Sequence, residues 1–469
     1  MKFRDFIINN NLKFQQYQEE GYEWCVEREE NKLDFQSKNA GIIADEMGTG
    51  KTILVISLLV CNPYLKNLII VPLPLLNQWV EAIKRYTQYE PFVYYGNNRK
   101  HCEKLHSHSI VITTYGLIVR EYKKINKLYN FVWDRIIFDE AHHMRNKKTG
   151  KFQAGFHLNG NIKWLLTGTP IQNRLSDLYS LCEICGIDNP KNIDVERLKE
   201  LYIKRTKKEV NINMPSLSYQ TINVNWQNKK EQQISQALHS VILPLTFIKI
   251  KREDILLFNY YKDQVKKIFG DRLLPYYLRS KQMCVCPNLM IEKIQSRKLE
   301  IDRDVYSNIL DGCQYTTKLD EVVNFVEKRD NENKKLIFCQ FHREMEILKN
   351  KFLEKQIESV EIYSGNLNKT KRNKLLENLP NILIIQMQMG CEGLNLQEMN
   401  EVYFVSPFWN PAMEEQAIGR CYRLGQMKPT YVFKFKMNSV YYLEENITID
   451  DYIDNVQNNK KELKNTFIS

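Results

Sequence analysis

The 469-residue chain has no long apolar run. Nothing in it approaches the roughly 18 consecutive apolar residues that a membrane-spanning helix needs, so no membrane partner is expected. The first residues, "MKFRDFIINNNLKFQQYQEE", lack the apolar region and small-residue cleavage site of a secretory leader, and an intracellular protein is expected. An ordered cysteine framework is missing too. The 11 cysteines are scattered, odd in number, and set mostly in apolar runs such as "LIFCQF" and "SLCEIC". That usage points to reduced core thiols and away from disulfides. Cys182-x-x-Cys185 has half the spacing of a zinc site, but its one candidate partner pair, Cys284-x-Cys286, has the wrong spacing and no histidine nearby. A buried helix face accounts for it better. Low-complexity segments and short tandem repeats are absent as well.

What is present is a globular composition, 43% hydrophobic and 26% charged, in a chain too long for one ordinary core. The formal charge of +11 suits an anionic partner without identifying one. Short β-branched runs alternate with amphipathic stretches, the pattern of parallel sheets with crossover helices. Strands are predicted at "GIIAD", "NLIIVP", "SIVITTY", "RIIFDE" and "KWLLTG", and again at "KKLIFCQF", "NILIIQM", "EVYFVS" and "TYVFKFK". Two α/β lobes follow, residues 1–225 and 313–445. Between them, 226–312 carries helical spacing with almost no strand signal and reads as a helical insertion. The tail, 446–469, reads as one amphipathic helix.

The segment "GIIADEMGTGKTILVISLLV" runs from strand through a glycine turn into an apolar helix. Such a turn presents backbone N–H groups and a helix N-terminus to phosphates. Gly48 and Gly50 permit close approach, Lys51 brings a cation to the β and γ phosphates, and Thr52 brings a hydroxyl to Mg²⁺. G-x-G-K-[ST] arises by chance in roughly 1–2% of chains this long, so the fragment needs support. Support comes from "RIIFDE", an apolar strand ending in Asp139 and Glu140. One carboxylate can hold Mg²⁺ while its neighbour activates the attacking water. Alone, such a pair is more often the start of a solvated loop; downstream of a phosphate loop it reads as a site. Arg420 and Arg423 in "EEQAIGRCYRLGQ" are spaced to share a helix face and to neutralise charge on the γ-phosphoryl group.

With these pieces in order, the sequence resembles the Swi/Snf family of superfamily-two, helicase-like, DNA-dependent ATPases. The likeness covers almost the whole chain. "FQQYQEEGYEW" resembles the family's N-terminal glutamine motif, and "ADEMGTGKT" its first motif, in which an acidic residue stands where Asp45 does. "IIVPLPLLNQW", "ITTYG", "DEAHHMRN", "LLTGTPIQN", "GCEGLNLQ", "PFWNPAMEEQA" and "GRCYRLGQ" resemble later motifs. "LYIKRTKKEV" resembles the basic segment closing the first lobe, and "PYYLRSKQMCVCPNL" the segment leading into the second. The "PFWNPAMEEQA" stretch leans toward the branch of Rad-five-like repair translocases and viral global transactivators. Departures are Met387, Gln388 and Cys391, where the family usually has a small hydroxyl residue and paired glycines, and Ser406, where an aspartate is common.

The resemblance implies two tandem RecA-like lobes, ATP and Mg²⁺ as cofactors, and double-stranded DNA as partner. It implies nucleotide contacts from Gln18 (to adenine), Asp45, Glu46, Met47, Gly48, Thr49, Gly50, Lys51, Thr52, Gly393 and Gln416, with Mg²⁺ at Thr52 and Asp139. It implies DNA contacts from Pro72, Gln78, Thr113, Thr114, Asn395, Trp409 and Asn410, with Gly393 among them. Thr167, Thr169 and Gln172 are implied as the link between the two ligands. Trp79 and Trp409 have a strong competing reading as core residues, and Lys204, Arg205, Lys207 and Lys208 as a solvated charge run. The expected activity is a monomeric duplex-DNA translocase that displaces or remodels DNA-bound proteins, nucleosomes among them, in a nucleus or viral replication site. Its competitors are a strand-separating DNA or RNA helicase and a non-catalytic DNA-binding scaffold.

Overall fold

This computed structural model describes residues 1–469 apart from 31–38, 102, 125–126, 172–173, 195–197, 211, 213, 243–254, 270–271, 296–302, 391–393, 439–447 and 469. The chain divides into two compact units, the first built mainly of Met1–Met214, the second of Pro215–Cys391 and Asn395–Asn459.

The first unit is a parallel sheet of β1 (Asn39–Ile43), β2 (Asn67–Val71), β3 (Phe92–Val93), β4 (Ile110–Thr114), β5 (Trp133–Asp139), β6 (Gly160–Leu166) and β7 (Tyr202–Ile203). The order across the sheet is β3-β4-β2-β5-β6-β1-β7. β2 and β4 are buried at every residue, as helices on both faces of a parallel sheet require. One face packs Leu68, Ile70, Ile136 and Phe138 in its core; the other packs Ile69, Ile112, Ile137 and Trp164. Cys182 and Cys185 belong to the first of these cores.

A charge sits in the middle of this sheet. Arg135 on β5 is fully buried, and its guanidinium donates to Glu29 Oε1 (2.7 Å) and Oε2 (2.5 Å) and to the Asn62 carbonyl (2.9 Å). Glu29 ends the helix Gln16–Glu29 and also accepts from Trp164 Nε1 and Asn62 Nδ2, both at 2.7 Å. The helix is thereby fastened to β5, β6 and the end of the helix Lys51–Cys61.

The second unit is a parallel sheet of β8 (Leu217–Val224), β9 (Lys334–Cys339), β10 (Val360–Tyr363), β11 (Ile382–Gln386), β12 (Met399–Phe404) and β13 (Thr430–Met437), ordered β10-β11-β9-β12-β13-β8. All nine strands predicted from apolar runs are present. β8 was not foreseen: Leu217 pairs with Thr430 and Val224 with Met437, so the second sheet begins before residue 225. Its burial is slight and its composition polar, "LSYQTINV", because it is an edge strand with little apolar surface to bury. The insertion is helical, with Lys229–Ile242, Ile255–Phe269, Leu273–Val285 and Arg303–Gly312 around Ile234, Leu238, Tyr276, Met283 and Ile309. The tail forms the helix Ile449–Ile468, whose Ile449 and Ile453 enter the core of the second sheet. Among the described residues no helix is long and apolar enough to cross a membrane, and the described cysteines are all free.

Candidate functional site

β1 ends at Ile43, and the chain turns through Asp45–Gly50 into the helix Lys51–Cys61. Gly48 (φ 82°) and Gly50 (φ 89°) hold left-handed conformations that side-chain-bearing residues avoid. A Cβ on Gly50 would fall 2.3 Å from Gln18 Nε2, so the loop is folded tightly against the helix Gln16–Glu29. Gln18 Nε2 (3.1 Å) and Tyr17 Oη (2.7 Å) both donate to the Thr49 carbonyl. Gln18 therefore supports the loop's backbone. Lys51 Nζ lies back over the loop, donating to the carbonyls of Asp45 (2.7 Å) and Glu46 (3.2 Å). The first N–H groups of its helix have no acceptor within the helix and are the donors a phosphate needs.

Asp45 and Glu46 hold the loop from behind. Asp45 receives Arg205 Nε at 3.0 Å and Nη2 at 2.6 Å, a bidentate pair, and Arg205 also donates to the Tyr17 carbonyl. Glu46 Oε2 accepts from the Lys207 backbone N–H at 2.8 Å, with Lys207 Nζ 3.4 Å from Oε1. β7 places these cations by pairing beside β1. Asp45 is thus a tether for the loop, which explains why a carboxylate suits a position where a strict phosphate-loop pattern has glycine. Arg205→Ala should weaken ATP binding about tenfold, the scale of one lost charge-assisted contact, and should lower the melting temperature as well, because it strands the buried Asp45 carboxylate. Nucleotide titration checks this.

At the end of β5, Asp139 Oδ2 accepts from Trp79 Nε1 (2.7 Å) and Oδ1 from the Glu140 N–H (2.9 Å). Burial first, then the Glu140 charge, pushes the Asp139 carboxyl up to about 6, while the Trp79 bond and the Lys51 ammonium pull it down. In the parallel sheet Asp139 pairs with Leu166 of β6 and Leu166 with Ile43 of β1, so the carboxylate and the phosphate loop leave the same edge of the sheet two strands apart. Glu140 adopts φ 51°, turning the chain sharply, and its Oε2 lies 3.2 Å from His142 Nδ1. His143 is held down to about 3 by burial and by His142, so it stays neutral. Its ring lies tilted against that of Tyr115, whose hydroxyl donates to the Asp139 carbonyl at 2.7 Å.

A half-buried carboxylate at the end of β5 and a hydroxyl in the first turn of the helix that follows β1 fit Mg²⁺, which takes one or two protein oxygens and fills its shell with water and phosphate. Among the described residues no group of three or more His, Cys, Asp or Glu is placed to hold a metal ion.

The remaining first-unit residues divide. Pro72 and Thr114 line a hollow of about 510 Å³ with Tyr95, Tyr115, Arg99, Arg120 and Lys151, and Gln78 is exposed. Thr113 does not face that surface. It is fully buried and its hydroxyl donates to the Tyr94 carbonyl (3.0 Å), because alternate residues of β4 point to opposite faces. Thr167 and Thr169 are likewise buried, Thr169 N–H donating to Thr167 Oγ1 at 3.2 Å. A Cβ on Gly168, between them, would approach Met47 Cγ to 3.0 Å, so this turn packs on the phosphate loop. Gln172, Gly393 and Cys391 lie outside the described residues.

In the second unit, the helix Pro411–Cys421 ends before Arg423. The two arginines do not share a helix face: Arg420 is in the last turn, and Arg423 is in the turn that follows, closed by Gly425 at φ 99°. Gln426 explains the break, its Nε2 reaching the carbonyls of Gln397 (2.7 Å) and Cys421 (3.3 Å) and drawing the chain back. Arg423's pKa is lowered by burial and by the Arg420 charge. Gln416 is buried, with no hydrogen-bond partner for Nε2 among the described residues. Asn395 is exposed, and Asn410 caps the helix by accepting from the Ala412 N–H (3.2 Å). Trp409 is 36% exposed beside Tyr277 and Tyr452.

Two family models match the chain, the SNF2-related domain over residues 17–195 and the helicase conserved C-terminal domain over 317–425. The chain belongs to the Swi/Snf family of helicase-like ATPases. This Swi/Snf chain is 26% identical to the ATP-dependent DNA helicase DDM1 of Arabidopsis thaliana, over 89% of its own length and 58% of the relative's. It is 24% identical to the DNA repair protein RAD5B of the same plant (85% and 44%). It is 27% identical to the "Probable global transactivator" of Orgyia pseudotsugata multicapsid polyhedrosis virus (89% and 85%). It thus spans about half the length of several curated relatives. The Pyrococcus furiosus Hef helicase domain shares the fold, with a TM-score of 0.53 at 15% identity over 90% of this chain and 95% of that one.

Sequence reasoning missed the Trp79–Asp139 bond, the Arg205–Asp45 tether and the scattered cations Arg99, Arg120 and Lys151. Trp79 and Arg205 stand in quoted motifs, but nothing in the chain marks their partners.

Proposed function

We propose that this Swi/Snf chain hydrolyses ATP to move along double-stranded DNA and displace or remodel proteins bound there. The observation that carries the reading is the register of one parallel sheet, in which Asp139 at the end of β5 and the phosphate loop with Lys51 at the end of β1 stand level, two strands apart. Gly48–Thr52 bind the phosphates, and Lys51 leaves its loop carbonyls for the β and γ oxygens. Thr52 and Asp139 would hold Mg²⁺, which would supply charge neutralisation on the phosphate oxygens. Glu140 takes the proton of the attacking water as ADP and phosphate separate. Arg420 and Arg423 neutralise the γ-phosphoryl charge. Nucleosomes are within the range of targets, since one relative is named a chromatin-remodelling complex ATPase, ISW1 of Saccharomyces cerevisiae. A nucleus or a viral replication site suits that work.

The contacts with DNA go to phosphates and sugars, from Pro72, Thr114, Asn395, Trp409 and Asn410, so little sequence preference is expected. The test compares ATPase stimulation by duplex DNA, single strands and RNA, with triplex-strand displacement alongside. Duplex DNA should stimulate most, and log affinity should fall with log salt by about 0.9 per phosphate contacted. Displacement of a third strand without unwinding of a forked duplex supports a translocase. Unwinding of the fork supports a strand-separating helicase, and a preference for RNA overturns the substrate.

A further inference from the structure

The Ser406–Asn410 loop is held at successive residues by neighbouring side chains, all but Tyr452 buried. Lys318 Nζ donates to Ser406 Oγ (3.0 Å) and Lys281 Nζ to the Pro407 carbonyl (2.8 Å). Gln457 donates to the Phe408 carbonyl, and the Phe408 N–H donates to Glu414 Oε1 (2.9 Å), which Gln457 also reaches at 2.8 Å. Trp409 meets Tyr452 with ring centroids 6.1 Å apart. Two of these holders, Tyr452 and Gln457, lie on the C-terminal helix Ile449–Ile468.

A third residue of that helix supplies the charge. Lys318 is buried with no exposed side-chain surface, and a buried ammonium needs a carboxylate. Ser406 brings none. The carboxylate is Asp450, whose Oδ2 lies 2.5 Å from Lys318 Nζ and also accepts the Met437 N–H at 3.1 Å. Since Ser406 Oγ already touches the same ammonium, a carboxylate at position 406 would lie within reach of it too.

We propose that the C-terminal helix positions the Ser406–Asn410 loop for its nucleic-acid contact, with Asp450 supplying the charge that a carboxylate on the loop itself would otherwise bring to Lys318. The proposal rests on the reading that Trp409 and Asn410 meet DNA. Asp450 acts through Lys318 and Ser406 and is a positioning residue. The fixed loop leaves Trp409 partly open to solvent, a contact group ordered before its ligand arrives.

The test compares Asp450→Asn, Ser406→Asp and the double variant by ATPase titration with a duplex oligonucleotide, and by amide hydrogen exchange of residues 406–410 without DNA. Asp450→Asn should raise the duplex concentration for half-maximal stimulation about tenfold, the order a small misplacement of a contact group produces, and speed exchange in the loop. Turnover at saturating DNA should change much less. The double variant should bring both readouts back toward the starting protein, because the carboxylate again faces Lys318. A double variant no better than Asp450→Asn overturns the proposal, as does a loss of turnover at every DNA concentration with half-saturation unmoved. If Asp450→Asn does not fold, recovery of folding and stimulation in the double variant supports the idea, and its failure to recover sinks it. If the unaltered protein shows no DNA stimulation, the functional reading fails alone, and loop exchange still decides whether Asp450 positions residues 406–410.

Discussion

Glu140→Gln lowers the DNA-stimulated ATPase rate by about 10²–10⁴-fold, the range a positioned general base contributes, while ATP and duplex DNA still bind. The substitution keeps the size of the side chain and most of its hydrogen-bonding capacity, so the turn at φ 51° and the bond from the Glu140 N–H to Asp139 should persist. What it removes is the capacity to take a proton from water. The charge it removes also pushes the Asp139 carboxyl upward, so metal binding should be retained. Single-turnover phosphate release measures the chemical step, and filter binding measures DNA affinity. A variant that keeps more than a tenth of the rate would remove Glu140 from the chemistry. One that turns over no ATP yet performs the protein's cellular task would favour the scaffold reading.

Legibility in the sequence followed distance along the chain. Strands buried on both faces announce themselves as apolar runs, and all of those predicted are present. β3 and β7 are two residues long, and β8 and the four-residue β10 are half-polar edge strands, so none of the four missed strands carries a pattern to detect. The phosphate loop and the Asp139-Glu140 pair were legible because their chemistry is contiguous. Trp79 to Asp139 spans 60 residues, Lys318 to Asp450 132, and Arg205 to Asp45 160. No local period encodes such pairs; only the folded sheet order brings them together. The expected helix face for Arg420 and Arg423 failed for a related reason. Spacing describes what a helix would do, and Gln426, bonded to Gln397, decides where this helix stops. Thr113 failed because strand alternation is exact while motif resemblance is not, so a threonine can keep its motif position and face the core.

The other large effect falls on stability. Glu29→Gln should cost the first unit about 3–5 kcal/mol, because it leaves the buried Arg135 guanidinium without a counter-charge. For a domain of this size that is a fall in melting temperature of roughly 6–20 °C. Both side chains have no exposed surface, and the carboxylate takes four donors: Arg135 twice, Trp164 and Asn62. An exposed pair such as Lys84–Glu90, with side chains 49% and 68% exposed, should leave the melt unchanged when broken. The double variant Glu29→Gln with Arg135→Met should recover much of the loss, since an apolar residue of similar length does not need the charge. Recovery would assign the cost to the stranded arginine; no recovery would assign it to the lost anchoring of the helix. The distinction matters for function, because that helix carries Tyr17 and Gln18 onto the Thr49 carbonyl. If anchoring dominates, ATP affinity should stay weakened in the double variant even at temperatures where the protein is fully folded. If charge dominates, stability and ATP affinity should return together.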